Sequence, residues 1–348
     1  MYTSHGDDIY PHPSLKANFS SNISPYGVHP QIWEHIRNSL ELLNNHPPPG
    51  TQIGKIPSTL CEIASKYHGL PKEYFFFTNG SVEALHILGF LLQHRISTIP
   101  IPSFAEYEEI SKSYNMVENF LGYHDQILKQ ENGVLFLGYP NNPDGKSFSQ
   151  SQIFEYAKSF PQTLLIVDEA YIDFAPHLQT CIPGIPAFPN LIILRSLGKS
   201  FALPGLRMGY VIASPSVIAR MTKHAPSWNL NSLAYATASY IFTHYEDMLP
   251  NISALLDESK SLQKAIHAIP GYRVSESPLH YFLVSLKKKE SAQTLKTYLL
   301  KEHNLLIRDA STFRGLGSEY FRISTQTPQK NQQLLKALQA WEEKRATR

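Results

Sequence analysis

The sequence predicts an α/β protein: a large unit built on a mostly parallel sheet, followed by a smaller α+β unit. Three observations carry this. From residue 58 to about 245, helical periods at 58–69, 81–93, 104–113 and 149–159 alternate with short apolar runs at 96–101, 134–137, 164–167, 191–194 and 208–212. Short apolar runs between helices are strands of a sheet buried on both faces. One of them, LLIVDEAYIDF at 164–174, turns acidic at its end, where open α/β sheets bind their ligands. Beyond residue 245 the order changes to helix, strand, helix, strand, strand, helix, which is an α+β pattern.

Taken in order, residues 1–30 are polar, contain prolines and lack a period. They are expected to form an arm that joins the smaller unit. At 31–44 (QIWEHIRNSLELLN), Ile32, Ile36, Leu40 and Leu43 recur at helical spacing. HPPPGTQIGKIP at 46–57 is too rich in proline and glycine to be helix interior. The large unit is set at 31–245 and the smaller at 246–348. The smaller one opens with a helical pattern at 246–270. It continues through a strand at 281–286, a helix at 291–303, strands at 305–308 and 320–324, and a helix at 329–344.

The 348 residues are 42% hydrophobic and 17% charged, ample for a large core. A net charge of +2 gives no basic field for nucleic acid or a membrane surface. Cys61 and Cys181 make neither a disulfide framework nor a metal spacing, which fits a reducing compartment. The 15 histidines are scattered without an HExxH pair, so no metal is expected. There is no basic start leading into an apolar run and no long apolar stretch. A cytoplasmic protein without a membrane span is therefore expected.

The chemistry is concentrated in a few segments. SLGKSFALPGLRMGY at 196–210 places Lys199 in a small-residue turn after an apolar strand, with Ser196 before it and Arg207 after it. A lone loop lysine is ordinarily a solvated one; its surroundings change that reading. Asp168 ends the strand LLIVD, where a helix N-cap is its plainer role. TNGSVEAL at 78–85 sets Gly80, Ser81 and Val82 at a helix start, whose amides point at an anion. Ser81 with Glu83 also reads as a capping box. PNNPDG at 140–145 is a tight turn presenting Asn142, and Tyr171 lies three residues beyond Asp168. Phe104 in PSFAEY offers a ring face, although an isolated Phe is usually core. These are the parts that pyridoxal 5′-phosphate (PLP) asks of a protein: a lysine amine, a carboxylate for its ring nitrogen, a phosphate cradle and a ring face.

The order GS…PNNPxG…DEAY…SxxK…R resembles the class I/II aminotransferase superfamily over nearly the whole chain. The resemblance implies a fold-type-I PLP enzyme with a seven-stranded, mostly parallel sheet. It also implies a homodimer with active sites shared between subunits. Lys199 then matches the Schiff-base lysine and Asp168 the pyridinium partner. Asn142 and Tyr171 match the donors to the phenolic oxygen. Gly80, Ser81, Ser196 and Arg207 match the phosphate contacts.

Within the superfamily, four stretches resemble the threonine-phosphate decarboxylases. They are HGDDIY with His5; NFSSNISPYG, with Ile23 where histidinol-phosphate aminotransferases carry Glu; ALPGLRMGY; and LLIRDASTFRGLGSEYFRIS at 305–324. The aminotransferases are the alternative. The resemblance implies a small phosphorylated amino-acid substrate. It implies loss of CO2 from L-threonine O-3-phosphate, giving the aminopropanol phosphate used in cobalamin assembly. His5, Ile23, Asn142, Arg308 and Arg322 would hold that substrate. A planar guanidinium grips carboxylate or phosphate in two-point fashion; which arginine takes which group stays open. Four departures stand out. NNHPPPGTQIG replaces a Tyr-Pro-Asp segment, so His46 is the candidate for a tyrosine that reaches the neighbouring subunit. Gly198 replaces a hydroxyl residue, His280 an Asn, and Asp144 a Thr. Transcription regulators with an aminotransferase-like domain carry a DNA-binding domain ahead of it. Only about two dozen residues precede the first motif here, so an enzyme is expected.

Overall fold

In the computed structural model, residues 7–47, 59–123, 133–287 and 290–346 are described. Their strands, in chain order, are Ala17–Asn18 (β1), Phe75–Asn79 (β2), Ile96–Ile101 (β3), Val117–Gly122 (β4), Gly133–Gly138 (β5), Thr163–Asp168 (β6), Leu191–Ser196 (β7), Met208–Ala213 (β8), Tyr272–Ser275 (β9), Tyr281–Leu286 (β10), Leu305–Leu306 (β11), Arg308–Asp309 (β12) and Tyr320–Ser324 (β13). Seven form one sheet in the order β2-β8-β7-β6-β5-β3-β4. β3 to β7 run parallel, and β8 lies antiparallel between β7 and β2.

Alternation along each run explains the layers. Leu135, Leu137, Leu165, Val167, Leu191 and Ile193 face one core, with the helices Leu60–His68 and Ser232–Thr243. Val134, Phe136, Ile166, Ile192 and Leu194 face the other, with the helices Ser81–Leu91 and Pro215–His224. Successive side chains point to opposite faces, so a strand that is apolar throughout demands cover on both.

The remaining core belongs to a four-stranded antiparallel sheet, β12-β13-β10-β9. Phe282, Val284, Phe321 and Ile323 pack there against the helices Ile252–His267 and Pro328–Ala346. The arm enters this core through Ala17 and Phe19, and β1 pairs in parallel with β11.

The differences from the sequence reading have local causes. The stripe at 31–44 stops being α-helix at Asn38. From Ser39 the amides reach back only three residues, and Leu40 and Leu43 turn outward, 50% and 57% exposed. Pro250 divides the pattern at 246–270, leaving Tyr245–Met248 and Ile252–His267. The strand at 305–308 is two strands, β11 on the arm and β12 on β13, with Ile307 between them. β1, β2, β4 and β9 have no counterpart among the strands expected from sequence. FFFTN follows a helix closely, while β4 is an edge strand with an exposed first residue.

Candidate active site

The parallel strands deliver their carboxyl ends to one edge of the large sheet, and antiparallel β8 begins there. Gly80 after β2, Gly138 on β5, Asp168 on β6, Ser196 on β7 and Arg207 before β8 therefore converge. All ten residues that the sequence proposed for cofactor contact line one cleft with about 710 Å³ of empty space: Gly80, Ser81, Val82, Phe104, Asn142, Asp168, Tyr171, Ser196, Lys199 and Arg207.

Lys199 lies in the short helix Leu197–Ser200, and its ammonium is 6.0 Å from the centre of the Tyr171 ring. Its carbonyl accepts from the Ser24 amide at 3.1 Å, so the arm grips the lysine's turn. Behind the turn, the Ser200 hydroxyl donates to Asp173 at 2.6 Å, and Arg195 bridges Asp173 and Glu169 at 2.8 and 3.1 Å. This buried network joins the residue after Asp168 to the residue after Lys199.

Asp168 is buried and accepts from the Tyr107 hydroxyl at 2.9 Å and the Ala170 amide at 3.0 Å. Burial pushes its carboxyl above the usual range; the two hydrogen bonds and the charge of Lys199 pull it back. Its plainer role as a bare helix cap is thus not what the contacts show. Tyr107 was missed from sequence. Its signal was its place three residues after Phe104, whose ring it meets edge-on at 5.7 Å.

At the cradle, Gly80 has φ +80°, and a Cβ there would lie 2.6 Å from the Arg207 guanidinium. Only glycine allows that approach without displacement. The helix Ser81–Leu91 has no side-chain cap. Glu83 accepts from the Asn79 amide at 2.7 Å, so the Ser81–Glu83 capping box does not form. Gly198 has a comparable reason. A Cβ on it would sit 3.3 Å from the Leu203 carbonyl oxygen and the Pro204 Cα, so a hydroxyl residue would need that turn to give. An uncapped helix start beside an arginine, a buried carboxylate and an amine within one cleft fit PLP.

Arg308 and Arg322 face each other in register across β12 and β13, 5% and 4% exposed. Arg322 donates to the Ser20 carbonyl at 2.6 Å and to Asn142 Oδ1, and its Nε has no partner among the described residues. With Oδ1 occupied, the amide nitrogen of Asn142 is its remaining donor. Arg308 donates to the Thr312 hydroxyl at 2.9 Å. Burial, then the charge of Arg322, lowers the Arg308 guanidinium to about 10. Two deeply buried cations that repel one another form a site suited to an anion.

Other proposed residues fall elsewhere. Ile23 is half-buried on the arm, and its side chain does not line the cleft. His5 lies outside the described residues. His46 is exposed and stacks on Trp228 at 4.7 Å. His280 is fully buried against Phe174, with Nε2 3.3 Å from the Asn22 carbonyl. Asp144 accepts from Asn141 at 2.7 Å and so braces the turn that carries Asn142. No described helix is long and apolar enough to cross a membrane.

A helix-covered, mostly parallel seven-stranded sheet with a smaller α+β unit is the fold-type-I architecture. The chain belongs to the aminotransferase class I and II family, whose profile matches residues 15–338. It is similar to the crystal structure of L-threonine-O-3-phosphate decarboxylase from Porphyromonas gingivalis, 30% identical with a TM-score of 0.88 over 94% of this chain and 99% of that one. The threonine-phosphate decarboxylase of Salmonella typhimurium is 28% identical over 94% of this chain and 91% of its own. The histidinol-phosphate aminotransferase of Ruminiclostridium cellulolyticum is also 28% identical, over 93% and 92%.

Proposed function

We propose that the chain is a PLP-dependent decarboxylase of L-threonine O-3-phosphate, acting in the cytoplasm as a homodimer with shared active sites. Its product would be (R)-1-amino-2-propanol O-2-phosphate, for cobalamin assembly. The observation that carries this reading is the buried Arg308–Arg322 pair joined through Asn142 to the cofactor cleft. A second reading, histidinol-phosphate aminotransferase, is kept alive by the equal identity of relatives of both kinds. In either reading residues 31–245 form the cofactor domain, and residues 1–30 with 246–348 the second domain.

PLP, when bound, supplies a sink for the electrons released at the substrate's Cα. Asp168 would keep a proton on the ring nitrogen, and Tyr107 holds Asp168 in place. Lys199 would supply the amine that holds the cofactor, and the same amine would serve as the acid toward Cα. Arg308 and Arg322 would hold the anionic ends of the substrate and so set its orientation in the cleft. Orientation then selects loss of CO2 over loss of a proton. Purified protein incubated with PLP and threonine phosphate should release CO2 without any keto acid. Transamination of histidinol phosphate with 2-oxoglutarate, and no CO2, would replace this reading with the second. A stable, fully active monomer in sedimentation would refute the shared sites.

A further inference from the structure

The loop between β12 and β13 does two things at once. Thr312 accepts from Arg308 at 2.9 Å, and the Phe313 ring lies 5.5 Å from the Arg308 guanidinium carbon. These two residues cage Arg308 from the loop side. The next residue, Arg314, leaves the four-stranded sheet and reaches the helix Glu106–Ser113. Its Nε and Nη2 donate to the two carboxylate oxygens of Glu108 at 2.9 and 2.6 Å, and its guanidinium lies 4.1 Å from the Phe120 ring centre on β4. Glu108 follows Tyr107, the residue that holds Asp168. One two-point ion pair thus spans from the cage of a substrate arginine to the support of the cofactor's aspartate.

We propose that Glu108 and Arg314 form a latch that holds the loop 310–319 closed and so positions Arg308 for the substrate's anionic group. They are positioning residues; neither touches the cleft. The proposal rests on the reading of Arg308 as a substrate residue. An exposed ion pair is ordinarily weak. Three features raise this one above a decorative contact. The geometry is two-point, the arginine is stacked on a ring, and Gly315 beside it lies against Ile101 at the end of β3, so the whole turn is seated on the large sheet. Arg314's hydrogen bond also holds the Glu108 carboxyl down at about 2.

The test is a double-mutant cycle of Glu108→Gln, Arg314→Gln and both together in the PLP-loaded enzyme, with two readouts. Hydrogen exchange of the amides at 310–318, without substrate, reads the latch itself. Steady-state kinetics on L-threonine O-3-phosphate reads positioning. Each single variant should exchange faster in that loop and raise KM about three- to tenfold with kcat unchanged, and the double should add nothing further. Unchanged exchange, additive effects, or faster exchange with an unchanged KM would overturn the latch. If wild type turns over no threonine phosphate, the proposed function fails. Inorganic phosphate then replaces the kinetic arm: it should slow loop exchange in wild type and less in the single variants. Equal protection in all of them would reject the latch.

Discussion

The two halves of the site compensate charge in different ways. At the edge of the large sheet, Asp168 takes two hydrogen bonds from its own chain, and Arg195 behind it lies between two carboxylates. At the four-stranded sheet, Arg322 is as deeply buried. Yet its acceptors are the neutral Ser20 carbonyl and Asn142 amide, and it faces another arginine. In the first region the charges are already paired within the chain. The second concentrates positive charge where burial makes it costly. Such an arrangement is relieved by an anion, so binding energy should be gained there and used for orientation. Cofactor chemistry and substrate choice should therefore be separable by substitution.

The largest effects should come from the first region and be blind to the substrate's phosphate. Lys199→Ala should lower kcat at least about a thousandfold. It should also lose the visible absorbance of the loaded enzyme and borohydride labelling of the residue-199 peptide. Labelling that persists would move the attachment point elsewhere. Asp168→Asn should follow, at about 3–4 kcal/mol of transition-state stabilisation, the scale of a lost electrostatic donor. Tyr107→Phe should cost about tenfold through the same carboxylate. In all three, the ratio of activities on threonine phosphate and threonine should stay that of wild type wherever it can be measured.

The same contrast explains what the sequence made legible. Most of the cleft was readable because its residues sit in or beside expected apolar runs, and strand ends of a parallel sheet must meet at one edge; Gly80, which follows β2, is the exception. Lys199, Asp168 and Gly80 needed only local context. Tyr107 was hidden because its role depends on a hydrogen bond across 61 residues to Asp168. The Asn142–Arg322 contact spans 180 residues and two sheets. No period reports that; both residues were proposed separately, and their pairing was not. The outward turn of Leu40 and Leu43 was misread because spacing reports a stripe, not what covers it.

Arg308→Ala tests the second region. Removing one guanidinium from a buried anion site should cost about 2–5 kcal/mol in kcat/KM on threonine phosphate. Threonine without its phosphate should lose little, and cofactor affinity should be unchanged, because Arg308 does not line the cleft. Equal losses on both substrates would show that Arg308 does not read phosphate, and the separation argued above would collapse to one undivided site.

A last effect, read in stability rather than rate, concerns a histidine buried beside the positive charge of the second region. His280 is buried, and its pKa is lowered to about 3, first by burial and then, against the Asn22 contact, by the charges of Arg322 and Lys199. His68, half-buried near Arg195, is lowered to a similar value, first by burial and then by the Arg195 charge. A histidine with a depressed folded pKa stays neutral in the folded chain while the unfolded chain takes up a proton below about pH 6.5. Its contribution to stability is therefore complete above that pH and falls as pH drops from 6.5 toward 3. Each such histidine gives a slope of at most about 1.4 kcal/mol per pH unit. His280→Asn should remove its own slope, so that the stability lost between pH 7 and 5 shrinks by about 2 kcal/mol relative to wild type. Urea unfolding at the two pH values measures it. Arg322→Gln should leave the slope between pH 7 and 5 as in wild type, because burial, the larger cause, still keeps His280 neutral there. If His280→Asn keeps the full wild-type slope, the acid sensitivity lies elsewhere and His280 is not held neutral in the folded chain.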